Sequence, residues 1–444
     1  MKVIIIGTNH AGIAAANTLL SYPNIEVTMF DRNTNMSFLG CGTAIWVGRQ
    51  VETTDAMFYA KPEDFEAKGA KIMLETSVNS VDYAAHKIYF TDKAGNEGEA
   101  DYDKLILATG SRPIIPNIPG NDLDGIHFLK LFQEGQAVDQ EMAKASVKRV
   151  AVIGAGYIGT EIAEAAQRRG KEVLLFDAAE TSLASYYDPE FAKNMDENLV
   201  NHGIELHFGE LATAFFGDEN GRISGLKTDK ATYQVDLIIN CIGFTANNPL
   251  GGEHLKTWKN GAILIDKHGQ TSDPDVYAAG DCATIYSGAL RDTTYIALAS
   301  NAVRTGIVAA HNVAGTSLEG IGVQGSNGIQ IYGYSMVSTG LSVKAAEVAG
   351  MEVLYTDYED YQLGGFMPDN ELAKIRIVYE KESRRIVGAQ MASKMNIIGG
   401  NINMFSLAIQ EGVTIDKFAL TDLFFMPHFN QPYNYMTMAA LSAK

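Results

Sequence analysis

The feature that most narrows what this chain can fold into is an internal repeat. Lys2–Ile6 is an apolar run of the kind a buried parallel strand needs. It is followed by Gly7-Thr-Asn-His-Ala-Gly12, a helical pattern over Ile13–Leu20, and a second strand, Glu26–Phe30, that ends at Asp31. The same order returns with the strand Arg149–Ile153, then Gly154-Ala-Gly-Tyr-Ile-Gly159, a helix through Arg169, and the strand Glu172–Phe176 ending at Asp177. Strand, glycine turn, helix, strand and acid together describe a dinucleotide-binding βαβ unit. The glycines allow a tight turn and close approach of a pyrophosphate, and the helix start offers free N–H groups and a positive dipole end. The acid follows the last glycine by 19 residues in the first copy and 18 in the second, close to the spacing of about 20 for a carboxylate on a ribose hydroxyl. The first copy departs at its middle glycine, which is Asn9; asparagine tolerates unusual backbone angles.

Bulk properties set the frame. A chain of 444 residues exceeds one ordinary core and implies two or three domains. A net charge of −18 argues against nucleic acid or an anionic membrane as the main partner. No run of 18 apolar residues is present, and the N-terminal run Val3–Ile6 is too short for a signal peptide, so a cytoplasmic protein is expected. The cysteines are Cys41, Cys241 and Cys282, with no Cys-x-x-Cys, and no His-Glu-x-x-His occurs. A disulfide framework and a structural zinc are therefore not expected, nor any other metal.

Two dinucleotide units imply two cofactors. Asp177 favours NADH over NADPH, because its charge would repel a 2′-phosphate; the plainer reading is an acid in a solvated turn. Three further segments stand in order: Leu105-Ile-Leu-Ala-Thr-Gly-Ser-Arg-Pro113, the strand Leu237–Gly243, and Thr271-Ser-Asp-Pro-Asp-Val-Tyr-Ala-Ala-Gly-Asp281. With these the chain resembles the two-dinucleotide flavoprotein reductases. The resemblance implies an α/β fold with two Rossmann-like domains and an α+β C-terminal dimerisation domain. Residues 1–113 and 245–320 would bind FAD, 114–244 would bind NADH, and 321–444 would dimerise. It implies FAD contacts from Gly7, Asn9, Ala11, Gly12, Asp31, Arg32, Cys41, Ala108, Thr109, Gly110, Arg112, Gly280, Asp281, Ala297 and Leu298. NADH contacts would come from Gly154, Gly156, Tyr157, Ile158, Gly159, Glu161, Asp177 and Gly243. Tyr157 is a candidate gate over the flavin, with simple packing as the alternative. Asp281 could equally be a helix N-cap.

Cys41 lies in Ser37-Phe-Leu-Gly-Cys-Gly-Thr-Ala-Ile-Trp46 between two glycines, so backbone can approach it from either side. Disulfide-using reductases carry a spaced cysteine pair; this chain resembles the single-cysteine branch of NADH oxidases, NADH peroxidases and coenzyme A disulfide reductases. A redox role calls for a thiol of lowered pKa that a peroxide can oxidise to a sulfenic acid. Cys241 and Cys282 read as small buried hydrophobes. His10, in the first turn, would lie near the cysteine and steady the reactive oxygen species, or simply bond backbone.

The nearest resemblance is to water-forming NADH oxidases, over essentially the whole chain, through the Cys41 phrase with Trp46 and through Pro427-His-Phe-Asn-Gln-Pro-Tyr-Asn-Tyr435. Gly40 and Met426 depart from the residues usual at their places. The implied activity reduces dioxygen by four electrons to water through reduced flavin and a Cys41 thiolate/sulfenic acid cycle, with NADH and dioxygen as substrates. A peroxidase or a coenzyme A disulfide reductase remains open, as does a non-enzymatic flavin and NADH redox sensor. At the C-terminus, Lys374–Tyr379 and Arg385–Met391 read as strands joined by Glu380–Arg384, with a helix over Asn401–Glu411. The resemblance implies a homodimer in which Phe424, Phe425 and His428 reach the partner's active site; core packing is the alternative for the phenylalanines.

Overall fold

The computed structural model describes all residues, Met1–Lys444. Its centre is a pair of five-stranded parallel sheets that share the order of four strands and differ in when the chain adds the fifth. The first runs 276–278, 104–107, 2–6, 26–30, 71–73, and the second 126–128, 237–240, 149–153, 172–177, 204–208. Ile6 pairs with Phe30 and Leu107 in the first, and Ile153 with Phe176 and Asn240 in the second. Strands covered on both faces need apolar side chains throughout, and Val3–Ile5 and Val150–Val152 are all buried. The first sheet takes its last strand, Val276–Ala278, after the chain has built the second. The crossing is marked by a two-stranded ribbon in which Ser111–Pro113 pairs with Phe244–Ala246.

The two glycine turns match at the level of single contacts. The N–H of Gly7 donates to Phe30 O at 2.8 Å and that of Gly154 to Phe176 O at 2.7 Å. Both first glycines have positive φ, +113° and +98°. A side chain at either would collide with the end of the neighbouring strand, at Ala108 or Cys241, so glycine is required there.

Several boundaries differ from the sequence expectation. The first helix is His10–Leu19, starting three residues early because Asn9, extended at φ −105°, takes the N-cap position. The strand expected over Leu237–Gly243 stops at Asn240, since Gly243, at φ +117°, turns the chain into the ribbon.

The C-terminal third is a five-stranded antiparallel sheet ordered 327–331, 334–340, 386–393, 372–380, 353–361. Its central strands are longer than expected, Leu372–Glu380 and Ile386–Ser393, with Arg384 at φ +58° in the turn. The helix runs over Ile397–Gln410, because Ile398 and Ile402 already insert into the core around Ile375, Met391 and Phe405. No helix is long and apolar enough to cross a membrane.

Candidate active site

Both strand-end acids do the same structural task. Asp31 Oδ2 accepts the N–H of Thr8 at 2.8 Å and its Oδ1 accepts Asn33 N–H at 2.9 Å. Asp177 Oδ2 accepts the N–H of Ala155 at 2.6 Å and its Oδ1 accepts Ala179 N–H at 2.8 Å. In each copy the carboxylate locks the residue after the first glycine, so Asp177 is more than an acid in a solvated turn. Gly156 has no atom within 4 Å of where a Cβ would sit, leaving space in front of the turn for a ligand phosphate. Asn9, at the same place, needs no unusual backbone angle, contrary to expectation; its Nδ2 donates to Phe38 O at 3.1 Å and braces the loop that carries Cys41.

A cleft of about 1140 Å³ opens at the first turn. It gathers Gly7, Asn9, Asp31, Arg32, Ala108, Thr109 and Gly110. Gly110, at φ +73°, again has nothing within 4 Å of a would-be Cβ. A cleft with glycine openings and a carboxylate-braced helix start suits a dinucleotide such as FAD. The other expected flavin residues, Ala11, Gly12, Cys41, Arg112, Gly280, Asp281, Ala297 and Leu298, do not line this cleft. Ala11 is buried where Gly280 and Gly306 let two helices meet closely. Arg112 is exposed on the ribbon, and Ala297 and Leu298 lead into the helix Ala299–Val313. Asp281 sits in the single turn Gly280–Cys282, so it caps no long helix.

The structure adds a residue the sequence did not single out. Lys130 lines the cleft, and its Nζ donates to Ser111 Oγ at 2.8 Å and Asp281 Oδ2 at 3.1 Å, while Ser111 Oγ donates to Asp281 Oδ2 at 2.7 Å. A lone lysine in a loop between the strand Ile126–Phe128 and the helix Phe132–Ala143 carries no motif; only the close approach of three segments reveals it.

Cys41 occupies the turn Gly40–Gly42 that leads into the short helix Thr43–Val47. Gly40 is not sterically required, since a Cβ there would make ordinary contacts, 3.7 Å to the Phe38 ring and 3.8 Å to Lys130 O. The expected low thiol pKa is not found. Desolvation pushes the Cys41 thiol up, the Glu161 carboxylate adds to this, and Lys130 opposes both. His10 feels the same two groups that flank the thiol: burial lowers its pKa, Asp281 raises it and Lys130 lowers it. Its Nδ1 shares a hydrogen bond with Tyr59 Oη at 2.7 Å, and the two rings stack with centroids 5.6 Å apart. Cys41 and His10 thus stand in one electrostatic neighbourhood with Lys130 and Asp281. The other cysteines are inert: burial raises Cys282, whose thiol donates to Leu107 O and Ala279 O at 3.3 Å, and pushes Cys241 up to about 12.

At the second turn, Tyr157 and Glu161 lie one helical turn apart on one face. Glu161 lines a pocket of about 910 Å³ between the short helix after Cys41, its own helix and the C-terminal sheet. Burial, then the neighbouring Glu164, push its pKa up to about 7. Ile158 is half-buried beside Tyr157, and Gly243 leaves open space next to the ribbon, with Ile114 Cδ1 at 3.8 Å from a would-be Cβ.

Phe424, Phe425 and His428 are exposed, with Phe424 at 67 % and Phe425 at 50 %. The alternative of core packing for the phenylalanines is therefore overturned. With Leu420, Phe429 and Tyr433 they form an uncovered apolar stretch of the kind that marks an interface.

Two matched dinucleotide turns, an exposed lone cysteine and an antiparallel third sheet define a two-dinucleotide oxidoreductase. Comparison with known proteins agrees. Residues 1–306 match the pyridine nucleotide-disulphide oxidoreductase family and residues 329–436 its dimerisation domain. The chain belongs to this family, whose cofactors are FAD and a nicotinamide dinucleotide. It is 70 % identical to the NADH oxidase of Lactococcus lactis subsp. cremoris, covering 100 % of both chains, and 51 % identical to that of Streptococcus pyogenes, covering 100 % of this chain and 99 % of the other. A solved water-forming NADH oxidase from Lactobacillus brevis, bound to NADH, superposes with a TM-score of 0.96 at 35 % identity, covering 100 % of this chain and 98 % of that one.

Proposed function

We propose that this chain is a cytoplasmic, FAD-dependent NADH oxidase that reduces dioxygen to water, with Cys41 as the sulfur that carries the second half of the reaction. The observation that carries this reading is the setting of Cys41: an exposed thiol whose charge balance is set by Glu161, Lys130 and Asp281, while Cys282 is buried and the half-buried Cys241 has its thiol pushed up by desolvation. The NADH oxidases among its relatives and the water-forming enzyme of matching fold support it. An engineered form of the L. brevis enzyme, described as a water-forming NADPH oxidase bound to NADPH, has an aspartate replaced among its five substitutions. That accords with an NADH preference set here by Asp177.

The residues of the first cleft would hold FAD, with the phosphates at the first helix start, and those of the second turn would hold NADH. Bound flavin supplies the passage of electron pairs from NADH. The chain's own part concerns oxygen at Cys41. Overall, two NADH, one O₂ and two protons give two NAD⁺ and two H₂O. The Cys41 thiolate attacks hydrogen peroxide formed in the site: an S–O bond forms, the O–O bond breaks, and hydroxide leaves and takes a proton as water. Two electrons from a second NADH then break the S–O bond, restoring the thiolate and releasing the second water. Lys130 is the cation at hand to favour the thiolate, and His10 can hydrogen-bond the oxygen species. The homodimer would bring Phe424, Phe425 and His428 of the C-terminal stretch to the partner's site.

Oxygen-electrode traces test the reading. About two NADH should be consumed per O₂, and catalase should change the trace little. Cys41→Ser should retain NADH-driven flavin reduction but release hydrogen peroxide, so that catalase returns oxygen. Full water formation by that variant would remove Cys41 from the chemistry, and turnover with added hydrogen peroxide but none with dioxygen would favour a peroxidase.

A further inference from the structure

The C-terminal sheet reaches across to the mouth of the second glycine turn and holds it through a buried hydrogen-bond chain. Tyr157 opens the helix directly after Gly156. Its ring meets Tyr186 edge-on, with centroids 4.5 Å apart at 69°. Its hydroxyl bonds the Tyr187 hydroxyl at 2.9 Å and donates to Asn327 Oδ1. Ser338 Oγ donates to the same oxygen at 3.0 Å, and Asn327 Nδ2 donates to Gly325 O at 2.7 Å. Asn327 and Ser338 face each other across the first hairpin of the C-terminal sheet. Tyr187 Oη also donates to Asn327 Oδ1, at 3.4 Å, so the hydroxyls of Tyr157, Tyr187 and Ser338 all converge on one amide oxygen.

The loop that carries Tyr186 and Tyr187 is pinned at a second point. Asp188 N–H donates to Gln390 Oε1 at 2.8 Å, and Gln390 Nε2 donates back to Asp188 Oδ2 at 2.7 Å. Tyr157 lies on the helix face that continues to Glu161 and its pocket, so the ring borders the route from the second turn towards that carboxyl.

We propose that Asn327 is a positioning residue that anchors Tyr157 across the mouth of the second turn, so that the C-terminal sheet sets how readily a nicotinamide dinucleotide enters. This rests on the reading that the second turn binds NADH. Entry requires the Tyr157 hydroxyl to leave its anchor, and a site open only part of the time binds more weakly by that fraction. Losing one neutral hydrogen bond, about 1 kcal/mol, corresponds to about fivefold in affinity.

The test titrates the purified flavin-loaded protein with NAD⁺ by calorimetry. Asn327→Ala should tighten NAD⁺ about fivefold, with a fall in KM for NADH that exceeds any change in kcat. Tyr157→Phe should give the same shift, and the double variant no more than either single one. Hydrogen exchange over residues 183–188 should quicken in Asn327→Ala. Ser338→Ala, a milder change, should move affinity and exchange in the same direction. Additive shifts in the double variant, or unchanged affinity and exchange in both Asn327→Ala and Ser338→Ala, would overturn the anchor. A wild-type chain that bound no NAD⁺ would instead sink the reading of the second turn; quickened exchange would then still uphold the anchor, and unchanged exchange would reject it.

Discussion

Replacing Asp188 with alanine should loosen the join between the second sheet and the C-terminal sheet more than loss of either other carboxylate paired with Arg376. The carboxylate is almost fully buried, and so is the facing Arg376, with side chains 3 % and 4 % exposed and Oδ2 3.2 Å from the guanidinium. It accepts Gln390 Nε2–H at 2.7 Å and the N–H groups of Val343 and Lys344 at 3.2 and 3.4 Å. Alanine would strand these donors without water, and a buried donor left unsatisfied costs about 1–3 kcal/mol. The charge on Arg376 would not be orphaned. Its Nε and one Nη still donate to Asp357 at 2.7 and 2.8 Å, and its other Nη donates to Glu190 at 3.1 Å. The 3–5 kcal/mol typical of breaking a buried pair is therefore a ceiling, and a loss of about 3 kcal/mol is expected. Asp357→Ala is the control: its carboxylate is 46 % exposed, and a partly exposed pair should lose only about 1 kcal/mol. A chain with several sheets need not unfold in one step, so the assay is local hydrogen exchange over residues 183–188 and 343–348. It should quicken about a hundredfold in Asp188→Ala, at 1.4 kcal/mol per tenfold. If Asp357→Ala proved equally disruptive, the weight placed on burial would be wrong.

Two charge changes should move the Cys41 thiol in opposite directions, read from iodoacetamide alkylation rate against pH. Glu161→Gln removes a negative charge that raises the thiol, so the profile should shift to lower pH; Lys130→Met removes the opposing cation and should shift it to higher pH. Lys130→Met should also raise the His10 pKa, seen in its ring-proton NMR titration. Glu161 itself has a pKa lifted to about 7 in the folded chain, so the folded state binds the proton more tightly than the unfolded state does. Stability should therefore fall as pH rises from about 4.5 to about 7 on its account, and Glu161→Gln should flatten that slope in urea titrations; an unchanged slope would refute the burial assigned to it.

The sequence by itself determined the duplicated dinucleotide unit, because each part of it is a local rule. Apolar runs make buried parallel strands, Gly7 and Gly154 admit positive φ, and acids at a fixed distance return to the turn. It also singled out Cys41, since no second cysteine stands near it in the chain. What only the tertiary structure decided depends on groups far apart in sequence. Lys130 gains meaning only when Ser111, 19 positions before it in the chain, and Asp281, 151 positions after it, arrive beside it. The direction of the Cys41 thiol follows from burial and from Glu161, 120 positions later, and no local pattern reports a charge balance summed over distant segments. The same holds for Asn327, which nothing in its own stretch marks: its hydrogen bond to Tyr157 exists only because the third sheet packs against the second.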